Sequence, residues 1–237
     1  TGVSLKELSK TGYIFNGWDR VLPSTAFFKK GSTYTGTDIS PYGENITLYA
    51  NYTPIKYKIT YKPLTGDAGQ TYTYTYSYDQ DVAIENCNYT KTGCKFVGWS
   101  TTEQDIIDTG VSSTGIDTYL SYKPDATGKY KNLASTDGAE ITLYPVWQIS
   151  TYSITYNYNT TDTSSVKVTG EKVTSYTYND SFKLPTLTLS GHTFKGWVNQ
   201  NGVSLQAISK GTAGDLSLTA VWDDDLLIRS STDTVFT

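Results

Sequence analysis

Three tyrosines stand close together in the stretch TGIDTYLSYKPDATGKYKNLAS: Tyr119, Tyr122 and Tyr130. Lys123, Asp125, Lys129 and Asn132 lie among them. Flat aromatic faces beside hydrogen-bonding side chains suit a sugar, whose C–H face stacks on a ring while polar groups hold the hydroxyls. The same tyrosines can equally cover a longer hairpin and pack on their own module, and that reading is preferred. A second stretch, residues 19–45, holds Phe27, Phe28, Lys29, Lys30, Tyr34 and Tyr42 and is weighed in the same way. Both stretches are irregular in pattern, and loops mounted on a scaffold commonly hold the function.

Catalytic chemistry has little to work with. His192 is the only histidine, and Tyr13 and Cys94 occupy its slot in related phrases. A nucleophilic triad or a zinc site would need partners at recognisable spacing, and none is visible. No carboxylate recurs in a motif suited to acid–base work. The expectation is therefore a non-enzymatic chain with no catalytic residues, no cofactor and no metal site. Asp223, Asp224 and Asp225 read as a solvated linker, with calcium binding a weaker alternative because the run lacks EF-hand spacing. LPSTA at 22–26 lacks the final glycine of a sortase signal and reads as loop. Cys87 and Cys94 lie in one short segment. A local disulfide in an oxidising compartment and two reduced thiols are equally compatible with that spacing.

The elements that must position these residues announce themselves by repetition. KTGYIFNGW at 10–18, KTGCKFVGW at 91–99 and SGHTFKGW at 190–197 share a glycine, a phenylalanine and a Gly-Trp pair. These are Gly12, Phe15, Gly17 and Trp18; Gly93, Phe96, Gly98 and Trp99; and Gly191, Phe194, Gly196 and Trp197. Strict alternation along a strand would send Phe194 and Trp197 to opposite faces. A bulge at Gly196 returns the tryptophan to the phenylalanine's face, while Gly191 supplies a turn conformation that other residues reach at a cost. All five tryptophans fall in repeated phrases, Trp147 and Trp222 ending the copies ITLYPVW and LSLTAVW of a closing phrase. The spacing thus predicts an internal aromatic clamp in preference to a ligand platform, each buried ring being worth about 2–3 kcal/mol.

Three further phrases keep company with the first. ITLYANY at 46–52, ITLYPVW at 141–147 and LSLTAVW at 216–222 alternate apolar and hydroxyl residues, as half-buried strands do. YKITYK at 57–62 and YSITYN at 152–157 open two of the units. TYTYSYDQDVAI at 73–84 and SYTYNDSFKL at 175–184 then place a polar turn inside an aromatic alternation. The order predicts an incomplete module at 1–52, which lacks the opening phrase. It predicts a full module at 53–147 with a long insert at 100–140, another at 148–222, and a tail or linker at 223–237. The tail is also a candidate donor of the strand that the first module lacks. A brief helical turn at 204–209 is the most helix expected.

Composition agrees with a mainly β chain. Aromatics make up 14% and tyrosine alone contributes 21 residues, whereas charged residues reach only 18% with a net charge of −4. That excludes a basic nucleic-acid face. The apolar runs are too short to span a bilayer, so no membrane insertion is expected.

Together the YxITY, GxxFxGW and closing-strand phrases resemble the Listeria–Bacteroides repeat, the B-repeat type of internalin-like bacterial surface proteins. The resemblance implies small β-grasp-like modules with mixed sheets and little helix, monomeric within a longer chain. It implies an extracellular, secreted or cell-wall-attached location, and adhesion or spacing toward a surface protein or glycan of a host or neighbouring cell. A polysaccharide-capturing module acting through the Tyr-rich inserts is the alternative. The family has no shared catalytic residues to carry over.

Overall fold

The computed structural model describes residues 2–20, 27–40 and 42–224. LPSTA at 22–26, Asp225 and the remainder of the tail, with its candidate donor strand, lie outside the described residues.

The fold is mainly β, built from mixed sheets. In the third repeat the opening strand Thr151–Asn157 runs antiparallel to Ser175–Thr177 on one side. On the other it runs parallel to the first half of the closing strand Leu216–Asp224, with Ile154 opposite Leu216 and Asn157 opposite Thr219. The second half of the closing strand pairs antiparallel with His192–Val198, and Ser204–Leu205 completes the edge. The second repeat repeats this order as Tyr72–Ser77, Lys56–Tyr61, Glu140–Ile149 and Cys94–Ser100. A parallel pair requires a long crossover, and each repeat places its whole body between its opening and closing strands.

Among the described residues the first repeat has no opening strand, and its structure shows the consequence. Its sheet has three strands, Phe28–Lys29, Tyr13–Asp19 and Tyr49–Pro54. The closing phrase begins at Ile46, yet the strand begins only at Tyr49. In the fuller repeats, the early part of this strand is held by the parallel opening strand. Without that partner, pairing starts where Tyr49 meets Asp19.

Alternation sorts the closing strand as its pattern requires. Leu216, Leu218 and Ala220 are buried, while Ser217 is exposed. Helix is confined to short turns at Gly36–Ile39, Ser113–Asp117 and the 3-10 turn Thr163–Ser165 among the described residues. The expected helical turn at 204–209 is not one. Ser204–Leu205 and Ala207–Ile208 are two short strands, because Leu205 pairs with Trp197 and the buried Ile208 pairs with Phe182. A short apolar run has no periodicity long enough to separate the two outcomes.

The chain divides into two compact units, one of residues 1–90, 96–105 and 112–147, the other of 91–95, 106–111 and 148–237. The break near 148 falls where the second repeat ends. Residues 1–52 share a unit with the second repeat, and a single residue, Ile55, separates the strands Tyr49–Pro54 and Lys56–Tyr61. The core of the second unit gathers Ile154, Tyr176, Leu184, Leu187, Trp197 and Leu218. In the first unit Tyr57, Ile59, Tyr61, Val82, Trp99 and Leu143 are buried almost completely.

Candidate functional site

The GxxFxGW phrase is built the same way three times. Lys10, Lys91 and Leu189 each accept a hydrogen bond from the residue three positions on, closing a turn at 3.0–3.1 Å. Gly12, Gly93 and Gly191 sit at the third position of these turns, each with φ of +77°. A turn with positive φ there favours glycine. The pairing register then shifts between Phe15 and Gly17 and again between Phe194 and Gly196. There the bulge brings the rings together edge to face, 5.7 Å apart for Phe15–Trp18 and 5.5 Å for Phe194–Trp197, and Phe96 and Trp99 meet edge to face at 5.0 Å.

Each indole N–H has a partner inside the protein. Trp18, Trp99 and Trp197 donate to the carbonyls of Lys6, Glu85 and Pro185 at 3.0, 2.8 and 2.7 Å. Trp147 donates to Asp67 Oδ2 and Trp222 to the Tyr158 carbonyl. Trp99, Trp147 and Trp197 are buried, and Trp18 and Trp222 half-buried. A ring platform for a ligand needs an open face and a spare polar edge; these tryptophans spend their N–H groups holding loops to the sheet. His192 packs near Trp222, with ring centres 6.3 Å apart.

The insert of the second repeat is pinned to its own sheet. The Trp99 backbone amide donates to the Tyr122 carbonyl, and the Ser121 and Tyr122 amides donate back to the Trp99 carbonyl. Tyr122 meets Tyr130 edge to face at 5.4 Å, and its burial raises the phenol pKa. The strand Asp125–Tyr130 pairs with Val82–Ile84. Lys123 forms an ion pair with Asp117 at 2.7 Å, and Asp125 accepts from the Thr127 amide and hydroxyl. Asn132 braces the turn of Asp79, accepting from its amide and donating to its carboxylate. Tyr119 stands apart, 40% exposed. Two of the candidate tyrosines thus pack together, Lys123 and Asp125 are partnered within the insert, and Asn132 braces a turn outside it. In the 19–45 stretch Phe28 is buried between Phe27 and Tyr34, while Phe27 and Tyr42 are exposed.

Cys87 and Cys94 are both thiols in the structure. The Cys87 sulfur turns into its own loop, accepting from the Tyr89 amide at 3.4 Å and approaching that residue's carbonyl at 3.7 Å. Burial pushes this thiol up to about 11. Among the described residues no group of three or more His, Cys, Asp or Glu side chains is arranged to hold a metal ion. Nor is any described helix long and apolar enough to cross a membrane.

A relationship between repeats is absent from the phrase-by-phrase reading. Tyr78, in the turn of the second repeat, covers Gly12 in the turn of the first: a Cβ on Gly12 would come within 2.3 Å of the ring. Gly12 accepts from the amide of Ile55, which in turn accepts from the Tyr78 amide, both at 3.0 Å. Tyr13 donates to Asp79, and its ring meets Tyr78 at 5.7 Å. Hydrogen bonds from Tyr13 and Asn132 hold the Asp79 carboxyl below its usual pKa. Within the second compact unit Tyr178 covers Gly93 in the same manner, with a Cβ there 2.4 Å from the tyrosine, and Gly93 accepts from the Ser150 amide at 2.9 Å. The signal was present as Tyr78 and Tyr178 in matching places before Asp79 and Asn179.

A family model described as the Listeria-Bacteroides repeat domain matches residues 1–51, 57–115 and 152–221. The second match ends inside the 100–140 insert. A curated relative from Evansella cellulosilytica, described as "Putative Gly-rich membrane protein", is 30% identical over 203 residues, covering 80% of this chain. The chain spans about a fifth of that relative, 19% of its length.

Proposed function

The chain belongs to the Listeria–Bacteroides repeat family, and we propose that it is a non-catalytic repeat region of a bacterial cell-surface protein, spacing and presenting adhesive parts of a longer chain. The observation that supports this most is the direct succession of repeats. A single residue, Ile55 or Ser150, separates the closing strand of one repeat from the opening strand of the next. A tyrosine of the following repeat then seats on a turn glycine of the preceding one. Repeats joined through contacts of this kind transmit position along a chain without needing a ligand. The relative's description as a membrane protein and its much greater length support a place on the cell envelope, and we extend the reading to the outer face, with a host or neighbouring-cell protein or glycan as the partner.

Antibodies raised against the chain test the location on intact cells of the source organism. Labelling without permeabilisation is the expected result. Labelling only after permeabilisation would overturn the surface reading. The glycan-capture alternative finds less support, because Tyr122 and Tyr130 pack on each other edge to face.

A further inference from the structure

The second and third repeats treat the start of the closing strand differently. The opening strands Lys56–Tyr61 and Thr151–Asn157 pair with it in one register, so that Ile141 opposite Ile59 corresponds to Leu216 opposite Ile154. Glu140 and Thr142 therefore correspond to Asp215 and Ser217. In the second repeat the carbonyls of Ala139 and Leu143 accept from the amides of Lys58 and Lys62. Backbone groups alternate in direction along a strand, which turns the Glu140 carbonyl and the Thr142 amide to the other side. That side borders Cys94–Ser100. Past the end of this strand lies an open groove of about 470 Å³ lined by Thr101, Glu140, Ile141, Thr142 and Tyr144.

In the third repeat a side chain takes the same two backbone groups. Gln200, three residues after Trp197, donates from Nε2 to the Asp215 carbonyl at 2.9 Å and accepts at Oε1 from the Ser217 amide at 3.0 Å. Three residues after Trp99 stands Thr102. Its amide donates to the Ser100 hydroxyl at 3.2 Å and its own hydroxyl accepts from Gln104 at 2.8 Å. One repeat thus supplies its own carboxamide, and the other presents a groove.

We propose that this groove is a binding site for a primary carboxamide, the side chain of a glutamine presented by a partner polypeptide. The filled repeat defines the occupant. A primary amide holds an N–H on the same side as its oxygen, so one group spans a carbonyl and an amide two residues apart, as Gln200 does. A peptide bond or the N-acetyl group of a sugar is trans, with its N–H pointing away from its oxygen, and does not make both bonds with one amide. A glutamate side chain has no donor and meets the charge of Glu140. The Tyr144 ring offers a flat wall to the glutamine methylenes, with the Lys62 ammonium 5.7 Å from its centre. Thr101 is fixed on the groove's rim by its amide, which donates to the Ser121 hydroxyl at 3.0 Å. Spacing between repeats needs no such site; binding here is a further role that does not rest on the scaffold reading.

Titration of the full chain with N-acetylglutamine methylamide, followed through the backbone amide resonances by NMR, tests this. A ligand of so few atoms binds weakly, so saturation is expected in the millimolar range. The Thr142 amide shifts with the probe and the Ser217 amide, already held by Gln200, does not. The glutamate and alanine counterparts of the probe leave Thr142 unshifted. In Gln200→Ala, whose dispersed amide spectrum reports folding, Ser217 responds to the glutamine probe as well. Absence of a saturating Thr142 shift in the parent chain overturns the proposal whether or not that variant folds. An equal response to the alanine counterpart also overturns it, because the groove would then read peptide backbone. So does a folded Gln200→Ala chain in which Ser217 stays silent. Failure of surface labelling leaves these outcomes untouched, so the two readings fail separately.

Discussion

The ring of Tyr78 fills the space that any side chain on Gly12 would need, with its Cγ and both Cδ atoms 2.3–2.4 Å from a Cβ built there. These are the atoms at the root of the ring, so no rotation about the ring axis relieves the clash. Gly12→Ala is expected to cost about 1–2 kcal/mol for the left-handed backbone and a further 1–3 kcal/mol or so for displacing the ring. Gly191→Ala carries the first cost alone, since φ is the same and no described residue lies within 4 Å of the added Cβ. Urea unfolding of the two variants side by side checks this. Equal losses would remove the ring from the account.

Trp197 and Trp18 occupy the same place in the repeat but differ in burial. The Trp197 indole bonds the Pro185 carbonyl in a buried setting, whereas the Trp18 bond to Lys6 lies where water can replace it. Trp197→Phe leaves a buried carbonyl without its donor and trims ring area, for a loss of roughly 2–4 kcal/mol. Trp18→Phe is expected to lose about 1 kcal/mol. A ligand-platform role would instead show as an unchanged stability for both variants, measured by thermal unfolding.

Alkaline pH destabilises the first unit. Burial raises the pKa values of Tyr61 and Tyr72 well above the ordinary phenol, that of Tyr89 to about 12 and that of the Cys87 thiol to about 11. The folded state therefore binds protons that the unfolded chain releases, and stability falls as pH rises. The loss begins near pH 9 for Cys87 and near pH 10 for the tyrosines, and is complete only above the folded values. Tyrosinate absorbance should resolve an exposed class titrating first and a buried class appearing with unfolding. A single class at the ordinary phenol value would contradict the buried assignment.

The repeat itself was legible because its signals are local. Period-two alternation, a glycine before a phenylalanine and a Gly-Trp pair each constrain a few neighbouring residues, and the bulge follows from counting faces between Phe194 and Trp197. Two features were not legible. The stretch around Leu205 and Ile208 becomes strand through pairing with Trp197 and Phe182, partners a local window does not contain. The seat of Tyr78 on Gly12 joins positions in different repeats, so each residue, taken alone, reads as ordinary turn chemistry. The candidate insert was legible as an outlier, and the family match also ends within it. The direction of its side chains depends on the antiparallel bridge to Trp99, which spacing alone does not reveal.

Cys87 and Cys94 are both thiols in the structure. Alkylation of the unfolded protein without prior reduction is expected to label Cys87 and Cys94 together. In the folded protein at neutral pH, Cys87 should react slowly, because burial keeps it protonated and the thiolate is the nucleophile. Recovery of an unlabelled pair by mass spectrometry would establish the disulfide instead.

Tyr119 and Tyr122 separate the scaffold from the glycan reading. Tyr122 packs on Tyr130 and belongs to the segment that bridges to Trp99, so Tyr122→Ala is expected to cost about 2–3 kcal/mol. Tyr119 is exposed, and its replacement by alanine should change stability by no more than about 0.5 kcal/mol. Affinity electrophoresis against a panel of polysaccharides then reads function free of folding effects. A non-binding scaffold gives the same mobility for the parent chain and Tyr119→Ala on every glycan. Retardation of the parent chain that Tyr119→Ala abolishes, at unchanged stability, would show that an exposed ring is enough for sugar capture, and would displace the scaffold reading of the insert.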